Sequence, residues 1–116
     1  MNGLPRILAE RRGENSVELD IEVPLDSPWF EGHFDGMAIL PGVVQIGWAA
    51  HYAGVFYRLG PDIRALEQIK FRRPISPGAR LSLQIMADPA TGKARYEYRD
   101  ADASYSSGTL NFGNPA

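Results

Sequence analysis

The sequence predicts an α+β fold in which one apolar helix lies against an antiparallel sheet. Three observations carry that prediction. A single long stretch, residues 42–59, is apolar on nearly every side. Several short segments are rich in β-branched and aromatic residues, and Pro-Gly, Thr-Gly or Asp-containing turns separate them. At 116 residues the chain is long enough for one compact domain, residues 1–116, and too short for two ordinary ones.

The elements follow in order. SVELDIEVP alternates as a half-buried strand does, with Val17, Leu19, Ile21 and Val23 on one face and Glu18, Asp20 and Glu22 on the other, until Pro24 ends it. Residues 26–31 combine an Asp or Ser cap with Pro28, Trp29 and Phe30, which reads as a short helical turn. Pro41 and Gly42 open the long helix, and Gly60 and Pro61 are expected to close it by offering a permissive residue and then a missing donor. Residues 66–74, 81–87, 94–99 and 105–112 read as successive antiparallel strands. The first dozen residues and Asn114-Pro115-Ala116 are expected to fray. A curved sheet around one helix leaves apolar surface and an unpaired edge, so a homodimer that covers both is expected.

Bulk composition narrows the function classes. The formal charge is −2 and basic residues are interspersed with acidic ones, which leaves no electrostatic footprint for nucleic acid or an anionic membrane. No cysteine is present, so disulfides and thiolate metal sites are excluded and a reducing compartment is permitted. The opening MNGLPRILAERRGEN has no apolar core ahead of a cleavage site, and no stretch reaches spanning length uninterrupted, so a cytoplasmic location is expected. Two histidines eighteen residues apart make a poor metal site, and no nucleotide-phosphate loop is present. No metal or cofactor is implied.

The chemistry concentrates in FEGHFDGMAILPG, residues 30–42. His33 titrates near neutral pH and sits between Gly32 and Phe34, where backbone can approach and an aromatic wall can exclude water. Gly42 stands at the helix entrance, where the first N–H groups lack internal partners and can polarise a carbonyl oxygen. Together they sketch an acyl-binding site. The plainer readings are a structural histidine bonded to backbone and a simple helix boundary.

The same residues carry a resemblance. Gly-His-Phe, then Gly36, then Pro-Gly nine residues after the histidine resembles the active-site signature of the 3-hydroxyacyl-[acyl-carrier-protein] dehydratases, which are hot-dog proteins. LPGVVQIGWAAHYA is closer to the branch associated with aryl-polyene clusters, while IKFRRPISPGARLSLQI and SSGTLNF resemble later strands of the family. The resemblance implies a hot-dog fold and removal of water from a 3-hydroxyacyl thioester to give the trans-2-enoyl product. The substrate would arrive on acyl carrier protein or CoA.

It also implies roles. His33 matches the catalytic histidine, and Gly42 the glycine whose N–H faces the thioester carbonyl. Phe34, Gly36, Gly47 and Trp48 become candidates for lining the acyl site. Where the dehydratases carry Asp or Glu, fourteen residues after the histidine, this chain has Gly47. Glycine inside a helix costs about 1 kcal/mol relative to alanine, so its presence asks for a reason. His51, one turn on, shares a helix face with position 47 and is a substitute proton donor, or else a packed histidine. Asp35 either orients His33 or serves the turn before Gly36. Phe56, Tyr52 and Tyr57 either line a tunnel or belong to the core. Gln45, polar in apolar surroundings, must find partners. Lys70, Arg72 and Arg73 would meet a carrier protein or its pantetheine phosphate, or end a strand in solvent. Two other functions remain open: a non-catalytic acyl-thioester binding subunit, which the missing carboxylate favours, and a hot-dog thioesterase.

Overall fold

The computed structural model describes residues 3–25, 39–59 and 62–113. His33, Phe34, Asp35 and Gly36, and the helical turn expected at 26–31, lie outside the described residues. So do Gly60 and Pro61.

Six strands form one antiparallel sheet: β1 Arg6–Arg12, β2 Ser16–Glu22, β3 Ala65–Phe71, β4 Arg80–Asp88, β5 Lys93–Arg99 and β6 Ser104–Asn111. Their spatial order is β1-β2-β4-β5-β6-β3, so β1 and β3 are the edges. One helix, α1 Gly42–Tyr57, interrupts the strand series. The alternation that marks the strands also decides which face it covers. Val17, Leu19 and Ile21 of β2, Leu81, Leu83 and Ile85 of β4, and Tyr96 and Tyr98 of β5 are buried on the inner face. Across the sheet these residues fall in matching rows, Leu19 opposite Leu83 and Leu83 opposite Tyr98. Onto that face α1 presents Val44, Gln45, Trp48, Ala49, Tyr52 and Ala53.

Four expectations are corrected. Of the first dozen residues, those described do not fray: Arg6–Arg12 pairs with β2, and the Trp48 indole N–H donates to the Gly3 carbonyl at 3.1 Å. RILAERR lacks alternation because an edge strand is exposed on both faces. The helix is not closed by Gly60. It ends at Tyr57, with Arg58 in the left-handed region (φ 54°) and its N–H bonded to the Gly54 carbonyl. Nor is α1 buried on most sides in this chain, since Val43 and Val55 are exposed. Strand β3 ends at Phe71, three residues before the expected Pro74.

Candidate active site

The entrance of α1 is shaped by a proline that cannot donate. Pro41 caps the helix with φ −59° and ψ 144°, and its carbonyl accepts the N–H groups of Val44 and Gln45 at 3.0 and 3.1 Å. The Gly42 amide finds no acceptor among the described residues. No acidic side chain occupies the first turn, so the positive end of the helix dipole is unopposed by the chain's own charges there. In front of it lies a recess of about 290 Å³ lined by Leu40, Gly42, Gln45, Phe71, Arg72 and Arg73, among others.

Phe71 explains why position 42 is glycine. A Cβ there would lie 2.5 Å from the Phe71 Cζ and 2.9 Å from its Cε1. The ring is 53% exposed, so it walls the recess without being locked into the core. Sequence reasoning missed Phe71, because its orientation depends on an irregularity of β3. That strand pairs Glu67 with Thr109 and Lys70 with Ser107, leaving two residues, Gln68 and Ile69, opposite Gly108. Gln68 adopts φ 53° to make this bulge. A shift of one residue exchanges the faces of a strand. The bulge therefore turns Ile69 and Phe71 inward, and Lys70 and Arg72 outward.

Behind the recess, Gln45 is buried and both the nitrogen and the oxygen of its side-chain amide are hydrogen-bonded. Its Nε2 donates to the Leu40 carbonyl at 3.0 Å, and its Oε1 accepts from Ser106 Oγ at 2.7 Å. The Tyr98 hydroxyl donates to the Gln45 backbone carbonyl at 2.6 Å. One residue, through its side chain and its backbone carbonyl, thus joins the last residue before Pro41, the helix and the β5–β6 pair. Burial raises the Tyr98 phenol well above its usual range and pushes Tyr96 up to about 12. The Tyr96 and Tyr57 hydroxyls are buried without partners among the described residues.

The other predicted residues occupy different places. Gly47 and His51 lie on the face of α1 turned away from the sheet, and a Cβ at Gly47 would meet nothing within 4 Å. His51 is half-buried, its ring edge-on to Tyr52 at 5.0 Å. Trp48 is fully buried and belongs to the core beneath α1. Tyr52 packs in that core too, and Phe56 and Tyr57 pack against it. Of the predicted basic residues, Arg72 and Arg73 line the Gly42 recess, and Lys70 faces the other side of the sheet.

A family model described as ApeI-like, the ApeI dehydratase, matches residues 9–109. The chain belongs to the ApeI-like dehydratase family. Its fold is that of the dehydratase heterocomplex ApeI:P from Xenorhabdus doucetiae, at 30% identity and TM-score 0.84 over 92% of this chain and 96% of that one. A protein of unassigned function from Erwinia carotovora matches at 33% identity and TM-score 0.77, covering 93% and 94%. The 3-hydroxyacyl-[acyl-carrier-protein] dehydratase FabZ of Geotalea uraniireducens is 32% identical over 89 residues, which is 69% of this chain and 61% of that protein. FabZ of Geobacter metallireducens is 30% identical over 91 residues, covering 71% and 60%. The chain thus spans about three fifths of the length of these FabZ relatives. The hot-dog fold inferred from the sequence is the fold of the family, one helix against an antiparallel sheet.

Proposed function

We propose that this ApeI-like chain removes water from a 3-hydroxyacyl thioester, carried on acyl carrier protein or CoA, to give the trans-2-enoyl thioester. The observation that carries the reading is the Gly42 amide, without an acceptor among the described residues, at the positive end of α1 and opening into the recess walled by Phe71. A thioester oxygen placed there gains a donor as negative charge develops on it. His33 takes the C2 proton, the C3–O bond breaks as the C2–C3 double bond forms, and the hydroxyl leaves as water with a proton from an acid.

The acid is the open role. His51 shares the outward face of α1 with Gly47, so it stands where a helix carboxylate would be replaced. That face is completed by a second copy: Val43 and Val55 are exposed on α1, and the β3 edge exposes Leu66 and Phe71 beside unpaired backbone. Two chains joined along β3 form the working homodimer, in one domain per chain and in the cytoplasm. Leu66→Lys is expected to lower the dimer fraction in sedimentation velocity.

Gly47 favours a second reading, a subunit that binds acyl thioesters without turning them over. Incubation with a 3-hydroxyacyl-ACP, followed by mass spectrometry for the enoyl product, separates the two. Dehydration by the wild type that is lost in His33→Ala and reduced in His51→Ala supports the enzyme. An inert wild type that gains turnover in Gly47→Asp supports the binding subunit, and an added Cβ at Gly47 meets nothing within 4 Å among the described residues.

A further inference from the structure

The bulge in β3 builds a second recess on the outer face of the sheet. It encloses about 50 Å³ and is lined by Lys70, Arg72 and Arg95 together with Gln68, Ser107 and Thr109. Lys70 stands opposite Ser107 and Arg95 opposite Thr109, with Glu97 and Glu67 on the far side of those two hydroxyls in the same rows. The Arg72 Nη1 is held toward this side by Ser107 Oγ at 2.9 Å. Without the extra residue in β3, Lys70 and Arg72 would point inward, and the recess would lose two of its three charges.

What the cations lack is a carboxylate. Glu67 is occupied by Lys93 and Asn111, both at 3.0 Å, and Glu97 pairs with Arg99 at 3.8 Å. Among the described residues no carboxylate oxygen lies within 4.0 Å of Lys70, Arg72 or Arg95. Three unneutralised cations are drawn together by a backbone conformation that L residues adopt at a cost. A guanidinium fork, an ammonium and two hydroxyls suit tetrahedral oxyanions, and the space takes one such group while its ester substituent stays outside.

We propose that this recess binds a phosphate group. Arg72 lines both this recess and the one in front of Gly42, which places the phosphate at the same end of β3 as the thioester. That the phosphate belongs to a thioester carrier rests on the dehydratase reading; the anion site itself does not.

Amide chemical-shift titration of the full chain at constant ionic strength tests it, with inorganic phosphate, 4′-phosphopantetheine, CoA and pantetheine as probes. Saturable shifts are expected at residues 68–72, 95 and 107–109. In Lys70→Gln/Arg95→Gln, whose replaced side chains are exposed and hold no partner, phosphate affinity should fall at least tenfold. Tighter saturation by 4′-phosphopantetheine and CoA than by phosphate, with pantetheine silent at these residues, supports a carrier phosphate. Equal saturation by all three phosphate compounds supports a site for the phosphate group alone. Unsaturable shifts spread over every exposed arginine, or unchanged affinity in the double variant, mean an adventitious ion only and overturn the proposal. A wild type that shows the saturable shifts yet forms no enoyl product sinks the dehydratase reading and leaves the site standing. Turnover without those shifts does the reverse.

Discussion

The two edges of the sheet solve the same problem in opposite ways. At the β1 edge the chain neutralises itself: the Arg11 Nε donates to Glu18 at 2.7 Å, and its two terminal nitrogens to Asp20 at 3.0 and 2.6 Å. Those carboxylates then accept from Gln84 and Ser82 of β4, so one guanidinium ties three strands. The β3 edge has the bulge, a left-handed Gln68, exposed Leu66 and Phe71, and cations without carboxylates. Both edges expose apolar side chains, Ile7 and Leu8 on β1 and Leu66 and Phe71 on β3, but only at β1 are the charges neutralised within the chain's described residues.

Substitutions sharpen that contrast, from the largest expected effect downward. Gly42→Ala should lower kcat/KM for a 3-hydroxyacyl thioester by about 100-fold, because the added methyl displaces Phe71 and fills the approach to the amide. The exposed ring swings aside, so thermal melting should move little. Gly108→Ala puts a methyl against Ile69 Cδ1 and 3.0 Å from the Tyr96 ring, and should destabilise the chain by about 1–3 kcal/mol in urea unfolding. Gln68→Gly should stabilise it by about 0.5–1 kcal/mol: relief of the left-handed conformation, worth about 1–2 kcal/mol, exceeds the entropic cost of glycine in a strand. A loss of stability there would mean the bulge stores no strain.

The smallest effect belongs to the neutralised edge. Arg11→Gln should cost little near neutral pH, and less in high salt, since the pair is solvent-exposed. Hydrogen bonds from Arg11 hold the Glu18 and Asp20 carboxyls below their usual range. Depressed carboxylates stabilise the fold above the ordinary carboxylate pKa, and that contribution is lost as pH falls through their folded values. The difference between wild type and variant should therefore begin to shrink near about pH 4, the ordinary carboxylate range, and vanish only below the carboxyls' lowered folded values in thermal melts. A difference that grows in acid would refute the assignment.

Much of this was legible in the chain and some was not. Alternation in SVELDIE and RLSLQIMAD marks β2 and β4, because a strand with one buried face must alternate. Pro41-Gly42 marks the start of α1, because both residues have few alternatives at a helix entrance. β1 left no such trace, since neither of its faces is buried. The stop at Arg58 was also hidden, for an arginine in the left-handed region has no compositional signature. Most consequential was the bulge. The order Lys70-Phe71-Arg72 is the same whichever side each residue faces, and only pairing with β6 assigns Phe71 to the Gly42 recess and Lys70 to the opposite surface. Gln45 announced its need for partners, but Ser106, sixty-one residues away, could not be named from the chain alone.

That single glutamine has a consequence for how the protein can change over time. Its hydrogen bonds fasten the sheet to the segment that presents Gly42, so a buried polar anchor of the interior and the geometry of the helix entrance are one and the same structure. Lineages seeking a different acyl substrate can change the exposed Phe71 without disturbing that anchor. They cannot loosen Gln45 without paying in foldedness and in turnover together.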